Sequence, residues 1–140
     1  MSTFVVDASA ALAWVLHSQS TERSGAFIQA RGAEDRFAAP HIFSWEIGNV
    51  LVGLHRRGSL SQTVLSEARL ALDLLRIERA AALGDAELRE MTALANVVGL
   101  SLFDTAYFAL AADQNWPLVS RDARLLEVAL ARNVQCLDLR

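Results

Sequence analysis

Four of the 16 acidic residues lie in sequence contexts that favour chemistry over simple solvation: Asp7, Glu46, Asp104 and Asp122. The first and the last of them follow runs of apolar and β-branched residues, so each lies where a predicted strand ends. The other two lie on predicted helices, and no cation occurs within one helical turn of either. A carboxylate on an apolar helix face is costly unless a partner offsets its lost solvation, and a bound metal ion is one such partner.

Each of the four acids also has a purely structural explanation. Asp7 and Asp122 could cap the helices that follow them, and Ser101 followed by Asp104 resembles a capping box. Glu46 could turn toward solvent or meet a distant arginine. The conjunction of the four favours the functional interpretation, because acids at strand ends and on neighbouring helices can converge on one sheet edge, where their repulsion requires cations.

The kind of metal follows from a ligand set made only of carboxylates. Mg²⁺ or Mn²⁺ suits such a site, whereas Zn²⁺ more often recruits histidine or cysteine. The three histidines lack the close spacing of a zinc site, and the single cysteine, Cys136, cannot form an intramolecular disulfide. Ser9, Asn49 and Ser120 lie near candidate ligands and are candidates for orienting carboxylates or water, although helix capping explains the serines nearly as well.

The basic residues narrow the chemistry further, because all 13 of them are arginine. This excludes reactions that need a lysine nucleophile, a Schiff base or a phosphate-binding lysine. Haloacid-dehalogenase-like phosphatases and response-regulator receivers also use an aspartate at a sheet edge, but they rely on a lysine and are disfavoured here. The formal net charge of -3 argues against a surface that attracts nucleic acid everywhere, yet it allows a local basic rim.

Strand and helix signals alternate along the chain and predict an α/β fold with a mostly parallel sheet covered by helices on both faces. The predicted strands are Thr3–Val6, Arg36–Ala39, Arg76–Ala80, Pro117–Ser120 and Val134–Leu139. The predicted helices are Ala8–Leu16, a second one from Ser20 or Thr21 to Ala30, His41–Arg57, Ser61–Leu75, Asp85–Val98, Ser101–Asp113 and Asp122–Arg132. Ligands bind beyond the carboxyl ends of the strands in such sheets, which is where two of the four acids are expected.

The length of 140 residues and the hydrophobic content of 53% predict one globular domain over residues 1–140. No charge-free apolar stretch is long enough for a transmembrane helix, and the apolar run near the start lacks the basic leader of a signal peptide. A cytoplasmic protein without a membrane segment is expected.

Four segments resemble the successive motifs of PIN-domain nucleases, in particular VapC-type toxins of type II toxin-antitoxin systems. They are Val-Val-Asp7-Ala-Ser9-Ala, Trp-Glu46-Ile-Gly-Asn49-Val-Leu, Leu-Ser-Leu-Phe-Asp104-Thr-Ala-Tyr-Phe-Ala-Leu-Ala and Leu-Val-Ser120-Arg-Asp122. The match covers essentially the whole chain, and its one departure is a serine at Ser120 where threonine is commoner. The resemblance implies a three-layer α/β/α sandwich around a sheet of about five strands.

The resemblance also implies an activity and partners. It implies an endoribonuclease that uses Mg²⁺ or Mn²⁺, with the same four acids as metal-binding and catalytic residues, and it implies a homodimer inhibited by a cognate antitoxin protein. The alternatives are a PIN nuclease that processes RNA without being a toxin, and an inactive PIN module. Candidates for contacting RNA phosphates, each of which could equally be a solvated helix-end residue, are Arg56, Arg57, Arg121 and Arg124.

Overall fold

The computed structural model describes residues 1–140, with strands and helices alternating along most of the chain. The five strands are β1 Thr3–Val6, β2 Arg36–Ala39, β3 Glu78–Arg79, β4 Leu118–Ser120 and β5 Cys136–Asp138. The seven helices are α1 Ala8–Val15, α2 Glu22–Gln29, α3 Phe43–Arg56, α4 Gln62–Leu74, α5 Asp85–Val98, α6 Leu102–Gln114 and α7 Ala123–Ala131. A short 3₁₀ turn over His17–Gln19 lies between α1 and α2.

The strands form one sheet in the order β3-β2-β1-β4-β5, and every pair is parallel. The predicted α/β class is therefore confirmed, with a sheet that is wholly rather than mostly parallel. Val5 at the centre pairs with Ala38 on one side and Leu118 on the other. Val5, Val6 and Leu118 are fully buried, as expected for a sheet covered on both faces. The strand order reverses between β1 and β4, and open α/β sheets bind ligands at such a point.

Helices cover both faces of the sheet because crossovers between parallel strands are right-handed. α1 to α4 connect strands on the β3 side and form one layer, in which α1 contacts α2, α3 and α4. α5 to α7 form the opposite layer, in which α6 contacts β1, β4, α5 and α7. No single helix is long and apolar enough to span a membrane, and only α5 and α6 taken together reach that length and composition, across a bend of 96°.

A cluster of aromatic rings fixes α1 against the sheet and against α2. The Trp14 ring stacks on Phe27 with centroids 5.5 Å apart and on Phe37 with centroids 5.3 Å apart, and Phe27 meets Phe4 edge-on at 5.3 Å. Buried aromatic side chains contribute a large share of the packing free energy of a small domain. The start of α1, which carries Asp7 as its N-cap, is therefore held rigidly at the carboxyl end of β1.

The element order agrees with the sequence prediction, and the differences lie at the ends of elements. α3 begins at Phe43 rather than His41, because the preceding residues form a turn in which the Phe43 N–H donates to the Pro40 carbonyl. β3 and β5 are shorter than predicted, because only Glu78–Arg79 and Cys136–Asp138 pair with neighbouring strands. The elements that carry the candidate site all form where the sequence predicted them.

Candidate functional site

All four candidate acids lie at the carboxyl edge of the sheet or on helices that begin there. Asp7 directly follows β1, and Asp122 lies two residues after the end of β4. Glu46 and Asp104 lie in the first turns of α3 and α6. Asp104 connects the group electrostatically. Besides burial, its charge raises the pKa values of Asp7 and Glu46, and the charge of Asp122 raises the pKa of Asp104. The structure thus brings these four carboxylates into one electrostatically coupled group.

Asp7 is the most constrained of the four, with only 5% of its surface exposed. Its Oδ1 accepts hydrogen bonds from Ser9 Oγ at 2.7 Å and from the Ala10 N–H at 2.9 Å, and its Oδ2 accepts from Ser120 Oγ. Burial raises the pKa of the Asp7 carboxyl to about 6, the three hydrogen bonds oppose that rise, and the charge of Asp104 adds to it. The capping role is therefore observed, but it does not offset the cost of burying the charge.

The hydroxyls of Ser9 and Ser120 join the end of β1 to the end of β4. Their oxygens lie 3.4 Å apart, and each also accepts from a backbone amide, Ser9 from Arg121 at 2.9 Å and Ser120 from Asp122 at 2.8 Å. Because each hydroxyl has one proton and directs it at Asp7, both serines orient that carboxylate. They also fix the loop that carries Asp122.

Glu46 has no cation and no hydrogen-bond donor at bonding distance. Its Oε1 is buried without a partner, and the hydroxyl of Tyr107 is buried without a partner as well. Burial is the main cause of a raised pKa at Glu46 and the charge of Asp104 adds to it, while Tyr107 lies near enough to oppose the rise without forming a hydrogen bond of normal geometry. Asn49, one turn later on α3, is exposed.

The capping alternatives hold for Asp122 and only partly for Asp104. Asp122 Oδ1 accepts from the Leu125 N–H at 2.9 Å and so caps α7. Ser101 Oγ accepts from the Asp104 N–H at 3.1 Å, but the reciprocal bond of a capping box is absent. Burial and then the charge of Asp122 raise the pKa of Asp104, against the effect of the Ser101 hydroxyl. The Asp104 carboxylate is therefore not used to cap α6.

Arg121 lies beside the acids, directly between Ser120 and Asp122. It is half-buried, its Nη1 donates to Gln19 Oε1 at 3.3 Å, and its Nε is buried without a partner. It forms no salt bridge, so its charge remains uncompensated within the protein.

The other three predicted phosphate contacts are exposed and lie farther out. Arg124 pairs with Glu127 at 3.5 Å. Arg56 and Arg57 lie at the end of α3, roughly 15 Å along the helix axis from Glu46.

Three residues near the acids were not predicted from the sequence: Gln19, Tyr107 and Arg140. Arg140 follows β5, pairs with Asp138 at 2.6 Å and lies near the charge of Asp122. Its position after a strand end is a signal that could have identified it. Gln19 and Tyr107 offered no such signal, because their positions relative to the acids depend on the 3₁₀ turn and on where α6 and α3 begin at the sheet edge.

The chemistry of the four carboxylates suits an oxygen-ligated divalent cation. None of the four pairs with an arginine, since all five ion pairs of the protein involve other acids. No three His, Cys, Asp or Glu side chains lie close enough together to form a ready-made metal-binding group. The acids instead lie at the sheet edge as pairs whose charges interact. No arginine balances their negative charge, and one buried carboxylate oxygen has no hydrogen-bond partner. A bound cation would stabilise both the charge and the unpaired oxygen.

Solved structures share this fold at low sequence identity. PAE2754 from Pyrobaculum aerophilum is 24% identical with a TM-score of 0.65, over 91% of this chain and 84% of that chain. FitAcB from Neisseria gonorrhoeae is 17% identical with a TM-score of 0.63, over 96% of both chains. A domain of a functionally unknown protein from Methanocaldococcus jannaschii is 14% identical with a TM-score of 0.56, over 100% of this chain and 92% of that chain. No curated protein matches the sequence.

The sequence matches the family model of the PIN domain over residues 4–130. That span contains the four acids, both serines that hold Asp7, and every helix except the last residue of α7. The chain belongs to the PIN domain family.

Proposed function

We propose that the chain is a metal-dependent endoribonuclease in which Asp7, Glu46, Asp104 and Asp122 hold Mg²⁺ or Mn²⁺. PIN domains are typically metal-dependent nucleases. The observation that carries the proposal for this chain is a group of four coupled carboxylates, none of them in an ion pair, at the sheet edge where α/β folds bind ligands.

The side chains contribute geometry rather than a covalent nucleophile. Ser9 and Ser120 hold the two oxygens of Asp7, and the α7 cap holds Asp122. Asp7, Glu46, Asp104 and Asp122 would hold a divalent cation, which would neutralise charge at the scissile phosphate and lower the pKa of the attacking water. Asn49 is proposed to support Glu46 through water, since it is exposed one helical turn away.

Arg121 is the proposed contact for a phosphate next to the scissile bond. It is half-buried, its Nη1 is held by Gln19, and it forms no salt bridge, so its charge is free to act on a phosphate. A planar guanidinium with free donors suits a phosphate. Arg56, Arg57 and Arg124 are proposed as outer contacts that act mainly through their charge.

The proposed biological role is the toxin of a type II toxin-antitoxin system, acting in the cytoplasm as a single domain over residues 1–140, as a homodimer, and inhibited by a cognate antitoxin. The motif resemblance to VapC-type toxins supports this role. Large apolar side chains that are exposed on the isolated chain support protein partners, among them Trp45, Leu70 and Leu74. An apolar groove of about 440 Å³ between residues 80–83, α5 and α6 supports them too. A PIN nuclease that is not a toxin, or an inactive module, is the alternative.

Cleavage of RNA is the direct test of the proposed activity. The purified protein should cleave RNA with Mg²⁺ or Mn²⁺ and lose that activity in EDTA. Asp104→Asn should lower kcat/KM by at least about 100-fold, because one ligand is removed from the centre of the coupled group. Asp113→Asn, at an exposed position on the same helix with the same charge change, should cleave like the parent.

Two outcomes would contradict the proposal. Cleavage that persists in EDTA would exclude the metal chemistry. Equal rates for the parent and Asp104→Asn would show that the nuclease is a contaminant or that the site lies elsewhere.

Growth after induced expression tests the toxin role. Expression of the parent should arrest growth, and Asp7→Asn expressed to the same level should not, because the arrest depends on cleavage. Co-expression of a short neighbouring gene for a DNA-binding protein should restore growth. Arrest by both proteins would trace the effect to a cause other than catalysis, and vigorous RNA cleavage without arrest would favour an RNA-processing role.

A further inference from the structure

Tyr107 is buried almost completely, with 1% of its surface exposed, and its hydroxyl has no hydrogen-bond partner. Buried tyrosine hydroxyls usually find a partner, because leaving one unpaired costs the full penalty of its lost solvation. The hydroxyl of Tyr107 is thus an exception that needs an explanation.

The Tyr107 hydroxyl lies opposite a second buried polar group without a partner. Tyr107 is on α6, one turn after Asp104, and it faces Glu46 on α3, whose Oε1 is also buried without a partner. Besides burial, the carboxylates of Glu46, Asp7 and Asp104 all lie near enough to Tyr107 to raise the pKa of its hydroxyl. One unpaired donor therefore points into a group of acids that has no cation.

The two orphaned groups complement each other chemically. A carboxylate oxygen only accepts, and a tyrosine hydroxyl with its proton donates. A tyrosine hydroxyl with its ordinary pKa of about 10 carries its proton at neutral pH and can therefore donate to Glu46. No donor other than the Tyr107 hydroxyl acts on Glu46.

We propose that Tyr107 is a positioning residue that donates its hydroxyl hydrogen bond to Glu46 Oε1 and holds this carboxylate with its other oxygen directed toward the metal site. This inference rests on the proposed function, because it takes the four acids as metal ligands. In the metal-free protein the two groups are close neighbours without a hydrogen bond of normal geometry.

The test compares two variants that each delete one buried hydroxyl from α6. Tyr107→Phe keeps the ring and removes the proposed donor. Thr105→Val removes a hydroxyl that donates to the Ser101 carbonyl at 2.7 Å instead of facing the acids. Mn²⁺ is titrated against each protein, with free Mn²⁺ followed by electron paramagnetic resonance and the melting temperature followed in parallel.

Tyr107→Phe should weaken Mn²⁺ binding by about 10- to 100-fold, the range for loss of a partner that orients a metal ligand. Its melting temperature in EDTA should equal or exceed that of the parent, since an unpaired buried hydroxyl has been removed. Thr105→Val should bind Mn²⁺ like the parent even where it melts at a lower temperature. In a Glu46→Ala background, which removes the acceptor, Tyr107→Phe should cause no further loss, because the hydroxyl acts only through Glu46.

Equal Mn²⁺ affinity of Tyr107→Phe and the parent would overturn the positioning role while leaving the ribonuclease proposal intact. An equal further loss in the Glu46→Ala background would overturn it too, since Tyr107 would then act on another group. If Tyr107→Phe binds Mn²⁺ more weakly but the parent cleaves no RNA, the positioning role would be supported and the ribonuclease proposal would be contradicted. A parent that binds no Mn²⁺ would overturn both.

Discussion

Asp7 joins three parts of the molecule through one carboxylate. It caps α1 through Oδ1, it is tied to β4 through Oδ2 and Ser120, and it belongs to the coupled acids. A residue with these three roles cannot be assigned to structure or to function alone. Its ionisation should therefore be measurable in the stability of the metal-free protein.

The pKa of Asp7 is raised from 3.8 to about 6 by burial, so the unfolded chain loses this proton at a lower pH than the folded chain does. The stability that the neutral carboxyl contributes is thus complete below about pH 4 and is lost as pH rises toward 6, by about 3 kcal/mol. Urea unfolding in EDTA at a series of pH values measures this loss. Asp7→Asn should flatten the profile between pH 4 and 6.

Other groups act in the same experiment and define its controls. Glu46 and Asp104 also have raised pKa values and act in the same direction. Asp138, whose pKa Arg140 lowers to about 2, loses its contribution only as pH falls below 4. Asp113→Asn should keep the slope of the parent. A parent whose stability does not change from pH 4 to 6, or an unaltered slope in Asp7→Asn, would show that the Asp7 charge carries no burial cost.

At the scale of elements, most of the fold was predictable because hydrophobic periodicity and capping residues are local signals. Thr21, Ser61 and Ser101, which were predicted to begin helices, are the N-caps of α2, α4 and α6. The turn before α3 was not predicted, since the Phe43 N–H bonds to Pro40 in a pattern that no local signal marks. The strand ends were predicted wrongly for a related reason, because the length of a strand is set by how many of its residues can pair with the neighbouring strand.

The candidate site shows the same division. The four acids could be selected from the sequence because acids without nearby cations stand out in apolar segments. Tyr107 could not be selected, since the sequence placed it among the apolar neighbours of Asp104 and only the tertiary structure reveals its buried, unpaired hydroxyl. Likewise, Arg121 differs from Arg124 only through the tertiary contact with Gln19.

The bend between α5 and α6 leads to a prediction about stability. Gly99 ends α5 with φ of 74°, in the left-handed region, and directs the chain through the bend before Ser101 and Asp104. Gly99→Ala should lower the free energy of unfolding by about 1–2 kcal/mol, because a Cβ is strained in that conformation. Urea unfolding measures the change.

Gly25 provides a control of opposite sign. It lies inside α2, and a Cβ there would meet no atom within 4 Å. Gly25→Ala should raise the free energy of unfolding by roughly 0.5–1 kcal/mol, because alanine favours the helix. Substitutions that change stability in the same direction at both glycines would contradict the conformational argument.

The excess of acidic over basic residues in the molecule limits how RNA can bind. With 13 arginines against 16 acids, attraction has to come from a few local cations rather than from the overall field. A plot of log affinity against log salt for single-stranded RNA should therefore be shallow, with a slope of about −0.7 for each phosphate that the protein neutralises. Binding is measured in EDTA to prevent cleavage.

Arg121→Gln should reduce the magnitude of that slope by about 0.7, because one phosphate is then no longer neutralised by the protein. Arg69→Gln, at an exposed position on α4, should leave it unchanged. A steep slope in the parent, or equal slopes for Arg121→Gln and Arg69→Gln, would mean that RNA approaches the molecule by another surface.

The hydrogen bond from Ser120 to Asp7 spans 113 residues, and β1 finds its β4 partner only when residues near Leu118 are available. During translation, Asp122 is the last of the four acids to be synthesised, and Ser120 is made 113 residues after Asp7. At about 5–20 residues per second, roughly 6–20 s separate the synthesis of these two residues. A nascent chain therefore cannot assemble the four acids until Ser120 and Asp122 have been synthesised, and the proposed cleavage cannot begin from a chain that stops before β4.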